Sequence, residues 1–207
     1  MTLNHVRWAL SVVVCAVPLQ AGEPPAHQSI QPSNQVTAAV LPEGRYSMVA
    51  LREMGREAAN ILKESGVSLH WHLGTPTQSV SGLLVVVKLL GQCDMDGPRA
   101  FLQPGPLGWA HEVNGAILPF SDLACDNIRG AVQSAFLAGN QAGGNVLLGR
   151  AMGRVLAHEL YHIVAGTSRH GRDGVAQGAL SPRELTSGQL ELRPAEVAAV
   201  QSGLSRR

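Results

Sequence analysis

The chain has 207 residues, of which 45% are hydrophobic and 15% are charged, a composition that supports a folded core and excludes an intrinsically disordered protein. Its length fits a single domain. The formal net charge is +1 and no basic stripe stands out, so no nucleic-acid partner is expected and partners must be inferred from a site.

The N-terminus has the pattern of a secretory signal peptide. Arg7 precedes an apolar run over residues 8–19, and the small residues Ala21 and Gly22 follow it. We predict a signal peptide over 1–21, cleavage after Ala21, and a secreted or extracytoplasmic protein. The apolar run is too short for a membrane span, so no stable membrane insertion is expected. The alternative is a buried N-terminal helix or strand.

The rest of the chain is predicted to be one domain over residues 35–207, preceded by a flexible leader over 22–34 that is rich in Pro, Gln and Ser. Once the signal peptide is removed, two cysteines remain, Cys93 and Cys125. In an oxidising compartment such a pair is expected to form a disulfide. The alternative is two buried free thiols.

The first part of the domain contains three predicted strands and one predicted helix. Ser47 is a candidate N-cap for the helix, which is amphipathic and ends at Gly66. The last strand is a nearly continuous apolar run, which is typical of a strand buried on both faces. In chain order, these elements are the strand 35–41, the helix 48–64, and the strands 67–73 and 83–90.

A hairpin is predicted around Asn114 and Gly115, which separate the β-like runs 107–113 and 116–120. Asn-Gly is the preferred two-residue hairpin turn, because both central residues need a positive φ. Pro119 cannot donate a ladder hydrogen bond, so we expect the second strand to lie at a sheet edge there.

Helices dominate the C-terminal part. Asn145 is the candidate N-cap of a long helix that Gly166 ends, and Gly149 and Gly153 within it are expected to pack closely against another element. This order of elements predicts an α+β domain in which one mixed sheet packs on two long helices. The predicted helices are 126–137, 145–165, a short one that begins after Ser181, and 194–203.

The long helix carries an HExxH motif, formed by His158, Glu159 and His162. Residues i and i+4 project from one helix face, so both imidazoles can reach the same zinc ion. Glu159 can then act as general base toward a zinc-bound water without being a ligand itself. The alternative is a pair of surface histidines that bind no metal.

A catalytic zinc site needs a third protein ligand. His170 is the preferred candidate, because it lies just past the helix end at Gly166, where the chain can turn back toward the metal. Glu184 and Asp173 are the alternatives, and Asp173 can instead accept a hydrogen bond from a ligating imidazole.

The segment HELYHIVAGTSRH resembles the HExxHxxGxxH motif of the metzincin clan of zinc endopeptidases. It keeps both first ligands, the base, a glycine at the bend and a terminal histidine, although Gly166 and His170 come one and two residues later than in that motif. No Met follows Met152, so the clan's Met turn is absent, and residues 179–182 are expected to take its place. The blocks LGWAH, ILPF and HELYH are also similar to those of small secreted proteins, and the resemblance covers residues 36–185.

The resemblance implies a metzincin-like fold and a monomeric, secreted, zinc-dependent endopeptidase that hydrolyses peptide bonds through a zinc-activated water. It also implies a peptide or protein substrate that pairs with the strand at Pro119 and Phe120. His111 and Tyr161 can assist, but ordinary packing or surface exposure is the preferred interpretation of both. The alternatives are a non-catalytic zinc-binding secreted protein and a zinc amidase that acts on a non-peptide amide. The implied site has one zinc ion, the ligands His158, His162 and His170, and the base Glu159.

Overall fold

The structure, a computed structural model, describes residues 34–96, 104–136 and 143–207. These residues all lie in one compact unit, Gln31–Arg207. The predicted signal peptide over 1–21 and all of the predicted leader except Asn34 fall outside the described residues, so both stay predictions.

Five strands form one mixed sheet in the order β2-β1-β3-β5-β4. All neighbouring strands run parallel except the antiparallel pair β4 and β5. The predicted strands, and the α+β architecture of one mixed sheet with two long helices, are confirmed. The strands are β1 Gln35–Pro42, β2 Ser68–Leu73, β3 Leu83–Leu90, β4 Gly108–Val113 and β5 Ala116–Ala124.

The prediction that β3 is buried on both faces is wrong. Val85 and Val87 point into the core, whereas Leu84 and Lys88 on the other face are exposed. The helices therefore pack on one face of the sheet at this strand. An apolar run cannot reveal which face is covered, because the covering helix is distant in sequence.

The predicted hairpin is confirmed, since Asn114 has a φ of 52° and Gly115 a φ of 80°. The expectation that its second strand lies at a sheet edge is corrected: β5 is an interior strand, and β4 forms the edge. Pairing of β5 with β3 begins only at Phe120. Pro119 lies before that ladder, so its missing N–H removes no hydrogen bond to β3.

Five α-helices and one short 3₁₀-helix, Lys63–Ser65, are present in the described residues. The predicted N-cap of the first is confirmed, because the Ser47 side chain accepts a hydrogen bond from the Ala50 N–H. The predicted N-cap Asn145 is wrong. The long helix begins at Gly144 with Gly143 as its N-cap, two residues before the predicted one, and the Asn145 side chain instead accepts from the Met95 N–H at 2.9 Å. The helices are α1 Met48–Leu62, α2 Cys125–Phe136, α3 Gly144–Ala165, α4 Pro182–Thr186 and α5 Pro194–Ser205.

Two glycines of α3 allow it to lie directly against α1, as predicted. A Cβ atom on Gly149 would collide with the Ala50 carbonyl, and one on Gly153 would collide with the Met54 carbonyl. Backbone atoms cannot move aside as side chains do, so these positions admit only glycine without a shift of the helices. This close packing fixes the position of α3, which carries the HExxH motif, relative to α1.

The predicted disulfide between Cys93 and Cys125 is present, with the two Cα atoms 5.0 Å apart. It joins the chain just after β3 to the first residue of α2. Within the described ranges, no helix combines the length and hydropathy that crossing a membrane requires.

Candidate metal centre

Three histidines meet at the C-terminal end of α3. His158 and His162 lie one turn apart on the helix, which ends where Gly166 adopts a left-handed conformation with a φ of 65°. The chain then turns back and brings His170 against them, so that one ring nitrogen from each histidine lies within 4.8 Å of the others. A three-histidine cluster that can hold a metal ion therefore forms from the residues that the sequence indicated.

Backbone carbonyls orient the two helical imidazoles. His158 donates its Nδ1–H to the Val175 carbonyl at 2.7 Å, and His162 donates its Nδ1–H to the Thr167 carbonyl at 2.6 Å. A neutral imidazole that donates from Nδ1 keeps a lone pair on Nε2. The two Nε2 atoms face each other at 3.0 Å, an arrangement that a shared cation would stabilise.

The protonation states also suit a metal ion. Burial lowers the pKa of His158, and it lowers the pKa of His162 to about 4, with the neighbouring His158 as a second cause. Both imidazoles are therefore neutral at pH 7, which is the form that binds zinc. The chemistry of this donor set fits a tetrahedral zinc site with three protein ligands and one open position.

The two alternative third ligands are engaged elsewhere. The Glu184 carboxylate accepts hydrogen bonds from the Ser181 N–H at 2.8 Å and from the Ser181 hydroxyl at 2.6 Å, and the first of these is part of the capping box of α4. The Asp173 carboxylate pairs with Arg193 at 2.9 Å. His170 is the candidate that joins the other two imidazoles.

Glu159 is 4% exposed and lies between α3 and the edge strand β4. Burial raises its pKa to about 7, although a hydrogen bond from the Ala110 N–H opposes this rise. A carboxyl group with a pKa near neutrality can both take up and release a proton at physiological pH.

Gly108 allows the edge strand to approach this carboxylate, a role that the sequence analysis did not assign. A Cβ atom at this position would press on the Val155 side chain and lie 3.1 Å from Glu159 Oε1. The available signal was a glycine within a predicted strand, 107–113, which often marks a close approach between chain segments.

A cleft of about 600 Å³ opens beside the three histidines. One wall consists of β4 and the segment before it, and the other wall comes from the chain between His170 and α4. The segment 179–182, predicted to replace the Met turn, contributes to this second wall. The apolar residues that line the cleft include Leu107, Trp109, Ala110, Ile117, Ala131, Val155, Leu180 and Pro182.

The predicted substrate-binding residues Pro119 and Phe120 do not line this cleft, and their role in substrate binding stays a prediction. β4, not the Pro119 segment of β5, forms the edge of the sheet, and β5 contributes only Ile117 to the cleft. Phe120 is 46% exposed and lines a separate pocket of about 200 Å³. His111 lies in that pocket too, with Nε2 3.0 Å from Asp122 Oδ2.

Tyr161 is buried, and its ring centroid lies 5.3 Å from that of His162. It does not line the cleft. This agrees with the preferred prediction, ordinary packing, and not with an assisting catalytic role.

Arg154 is a buried residue that the sequence analysis missed. It is 2% exposed on α3, and its Nε donates to Glu57 Oε1 on α1 at 2.9 Å. Its guanidinium also donates to the carbonyls of Glu184, Ser187 and Gly188, at the end of α4 and just beyond it. Arg154 therefore ties both long helices to the element that follows the cleft wall. The available signal was a charged residue flanked by the apolar and small residues of α3.

No family model matches this sequence, and a search of curated proteins gives no match. Among solved structures, the chain is similar to archaemetzincin from Methanopyrus kandleri, with a TM-score of 0.50 and 14% identity over 86% of this chain and 99% of that chain. At this identity the likeness concerns the fold, which is a single mixed α/β domain of the archaemetzincin-like type.

Proposed function

We propose that this protein is a zinc-dependent endopeptidase that is secreted after removal of residues 1–21. The observation that carries the proposal is the convergence of His158, His162 and His170, with ring nitrogens within 4.8 Å, beside the buried Glu159. The archaemetzincin-like fold agrees with this proposal but does not carry it alone, because one fold serves many functions.

The chain's own residues divide the chemistry between them. His158, His162 and His170 would hold the metal. When bound, a zinc ion would act as a Lewis acid and lower the pKa of a water molecule, so that this water can lose a proton and attack a carbonyl near neutral pH. Glu159 would take the proton from the attacking water and deliver it to the leaving amine. The hydrogen bond from the Ala110 N–H would help to orient the Glu159 carboxylate for both transfers.

The edge strand favours a peptide over other amides as substrate. β4 is paired with β5 on one side only, and its residues Gly108, Trp109, Ala110 and Glu112 line the cleft. An extended peptide can add to such an edge by backbone hydrogen bonds, which a non-peptide amide cannot reproduce. The apolar lining suits hydrophobic substrate side chains.

The metal site is tested first, by the zinc content of the purified mature protein. We expect about one zinc ion per chain in the wild type, and much less in His170→Ala. Asp173→Ala is the matched control, because the Asp173 carboxylate is engaged with Arg193 at the surface, and it should keep full zinc. Absence of zinc from the wild type would refute the proposed function.

The base is tested by Glu159→Gln, which keeps the shape of the side chain. Turnover of peptide substrates should fall by about 100-fold or more, while zinc stays bound. Full activity of this variant would exclude the mechanism. Metal binding by the wild type without turnover of any substrate would favour the non-catalytic alternative, and activity confined to non-peptide amides would favour the amidase.

Secretion is tested separately, by N-terminal sequencing of protein exported from a cell that expresses the full chain. The mature protein is expected to begin at Gly22. A full-length protein retained inside the cell would contradict this part of the proposal and leave the zinc chemistry unaffected.

A further inference from the structure

One peptide group connects the ligand candidate His158 to a buried carboxylate on another helix. The Val175 carbonyl accepts the Nδ1–H of His158 at 2.7 Å. The N–H of the same peptide group belongs to Ala176, and it donates to Glu196 Oε1 at 2.9 Å. The carboxylate therefore stands two hydrogen bonds away from the imidazole.

Glu196 is held rigidly in this position. It is 5% exposed, lies in the first turn of α5, and its Oε2 accepts from the Val175 N–H at 3.3 Å and from the Arg193 N–H at 2.7 Å. Gly174 lies so close that a Cβ atom there would stand 3.0 Å from both carboxylate oxygens. The segment that carries the Val175 carbonyl is thus fixed on the carboxylate.

The other helical imidazole lacks such support. His162 donates to the Thr167 carbonyl at 2.6 Å, and the N–H of that peptide group belongs to Ser168. In the residues that the structure describes, this N–H has no protein acceptor. Each of the two imidazoles therefore donates to a backbone carbonyl. In the residues that the structure describes, only the peptide group that accepts from His158 also donates its N–H to a carboxylate, that of Glu196.

We propose that Glu196 is a positioning residue for the metal ligand His158, acting through the Val175–Ala176 peptide group. A carboxylate that accepts the N–H of a peptide group polarises its carbonyl, which becomes a stronger acceptor. The stronger acceptor holds the ring in the Nδ1–H tautomer and makes Nε2 a better donor to a metal, as a directly bonded carboxylate does in many zinc sites. This inference rests on the proposed metal site.

A purely structural role would give a different result. The hydrogen bond from the Arg193 N–H makes Glu196 part of the N-terminal cap of α5, so its loss can lower stability without any effect on metal binding. The decisive quantity is therefore the metal affinity of the folded protein, measured beside the stability of the metal-free form.

The test compares Glu196→Gln with Glu191→Gln, a matched change at an exposed glutamate nearby. Zinc affinity is measured by competition with a chelator, and the folded fraction of each metal-free variant by circular dichroism. We expect Glu196→Gln to bind zinc about 10- to 100-fold more weakly, and Glu191→Gln to match the wild type. Equal affinity of the folded Glu196→Gln variant and the wild type would overturn the inference.

Cobalt substitution shows which ligand is affected. In the Co²⁺ form, proton NMR resolves the exchangeable ring N–H signals of the metal-bound histidines, because the paramagnetic ion shifts them away from all others. Glu196→Gln should move the His158 signal and speed its exchange with solvent, while the His162 signal stays in place. Equal movement of both signals, or of neither, would overturn the inference.

Glu196→Asp keeps the negative charge but shortens the side chain, and it replaces the glutamine variant if that variant does not fold. Its zinc affinity should fall below that of Glu191→Asp, and an equal affinity would contradict the inference. The outcomes are separable from those of the proposed function. A wild-type protein that binds neither Zn²⁺ nor Co²⁺ refutes the metal site itself, whereas unchanged affinity in the Glu196 variants refutes only the positioning role.

Discussion

Replacing Arg154 by methionine should destabilise the domain far more than the same change at Arg150, one turn earlier on α3. Methionine fills much of the space of the arginine stem but removes the ion pair with Glu57, whose side chain is 13% exposed. It also removes the hydrogen bonds to the carbonyls of Glu184, Ser187 and Gly188. Among the residues that the structure describes, Arg150 makes one comparable bond, to the Thr186 carbonyl at 3.3 Å.

The expected loss follows from burial. Breaking a buried ion pair by removing one partner costs about 3–5 kcal/mol, because the other charge is left without compensation. Glu57 keeps a second cation, Arg56, at 3.8 Å, and Ser187 and Gly188 are exposed enough for water to replace the lost donor. We therefore expect the lower end of that range, about 3 kcal/mol, or roughly 6–12 °C in Tm for a domain of this size.

Urea unfolding of both variants, followed by circular dichroism with the disulfide intact, measures this difference. Arg150→Met should stay within about 1 kcal/mol of the wild type. A free energy of unfolding for Arg154→Met within 1 kcal/mol of the wild type would refute the assigned role of the guanidinium. Because α4 borders the cleft wall, Arg154→Met should also raise KM for peptide substrates more than it lowers kcat.

Three further perturbations follow from the structure. The folded-state pKa of Glu159, about 7, is raised above its ordinary value of 4.5, so its contribution to the stability of the metal-free protein is lost as the pH rises from 4.5 to 7. The lowered pKa values of His158 and His162 act in the opposite direction in both proteins, so the measured quantity is the difference: Glu159→Gln should gain a growing advantage over the wild type across that range in urea unfolding. Gly153→Ala should lower the free energy of unfolding by about 1–3 kcal/mol through its collision with α1, and an unchanged midpoint would contradict the packing. Reducing the Cys93–Cys125 disulfide, which spans 32 residues, should cost roughly 3–4 kcal/mol, measured as a shift in the urea midpoint.

Local signals predicted the elements well because their causes lie within a few residues. The Ser47 cap and the positive-φ turn at Asn114 and Gly115 each depend on short-range geometry, and each appears as predicted. The i, i+4 spacing of His158 and His162 likewise needs only a helix, and α3 supplies it. The secretory signal peptide is read from the same kind of local pattern, and it stays a prediction.

The errors all concern contacts between distant segments. Asn145 looks like a cap, yet its side chain bonds to Met95, which is 50 residues away in sequence. Pro119 was assigned to an edge strand, but β4 folds outside β5, forms the edge itself and lines the cleft. The residues next to a strand in sequence do not show which other strand will pair with it in the sheet.

The sequence by itself predicted the components of a candidate metal site: the helix, the pair of imidazoles, the carboxylate between them and three candidates for the third ligand. Only the tertiary structure distinguished His170 from Glu184 and Asp173, because each carboxylate found a partner of its own. The surroundings of the candidate metal site also depend on the tertiary structure. Examples are the approach of β4 to Glu159 at Gly108 and the hydrogen-bonded link from Glu196 to His158. Ligand spacing is a property of one helix, whereas the surroundings of a ligand depend on segments that meet only when the chain folds.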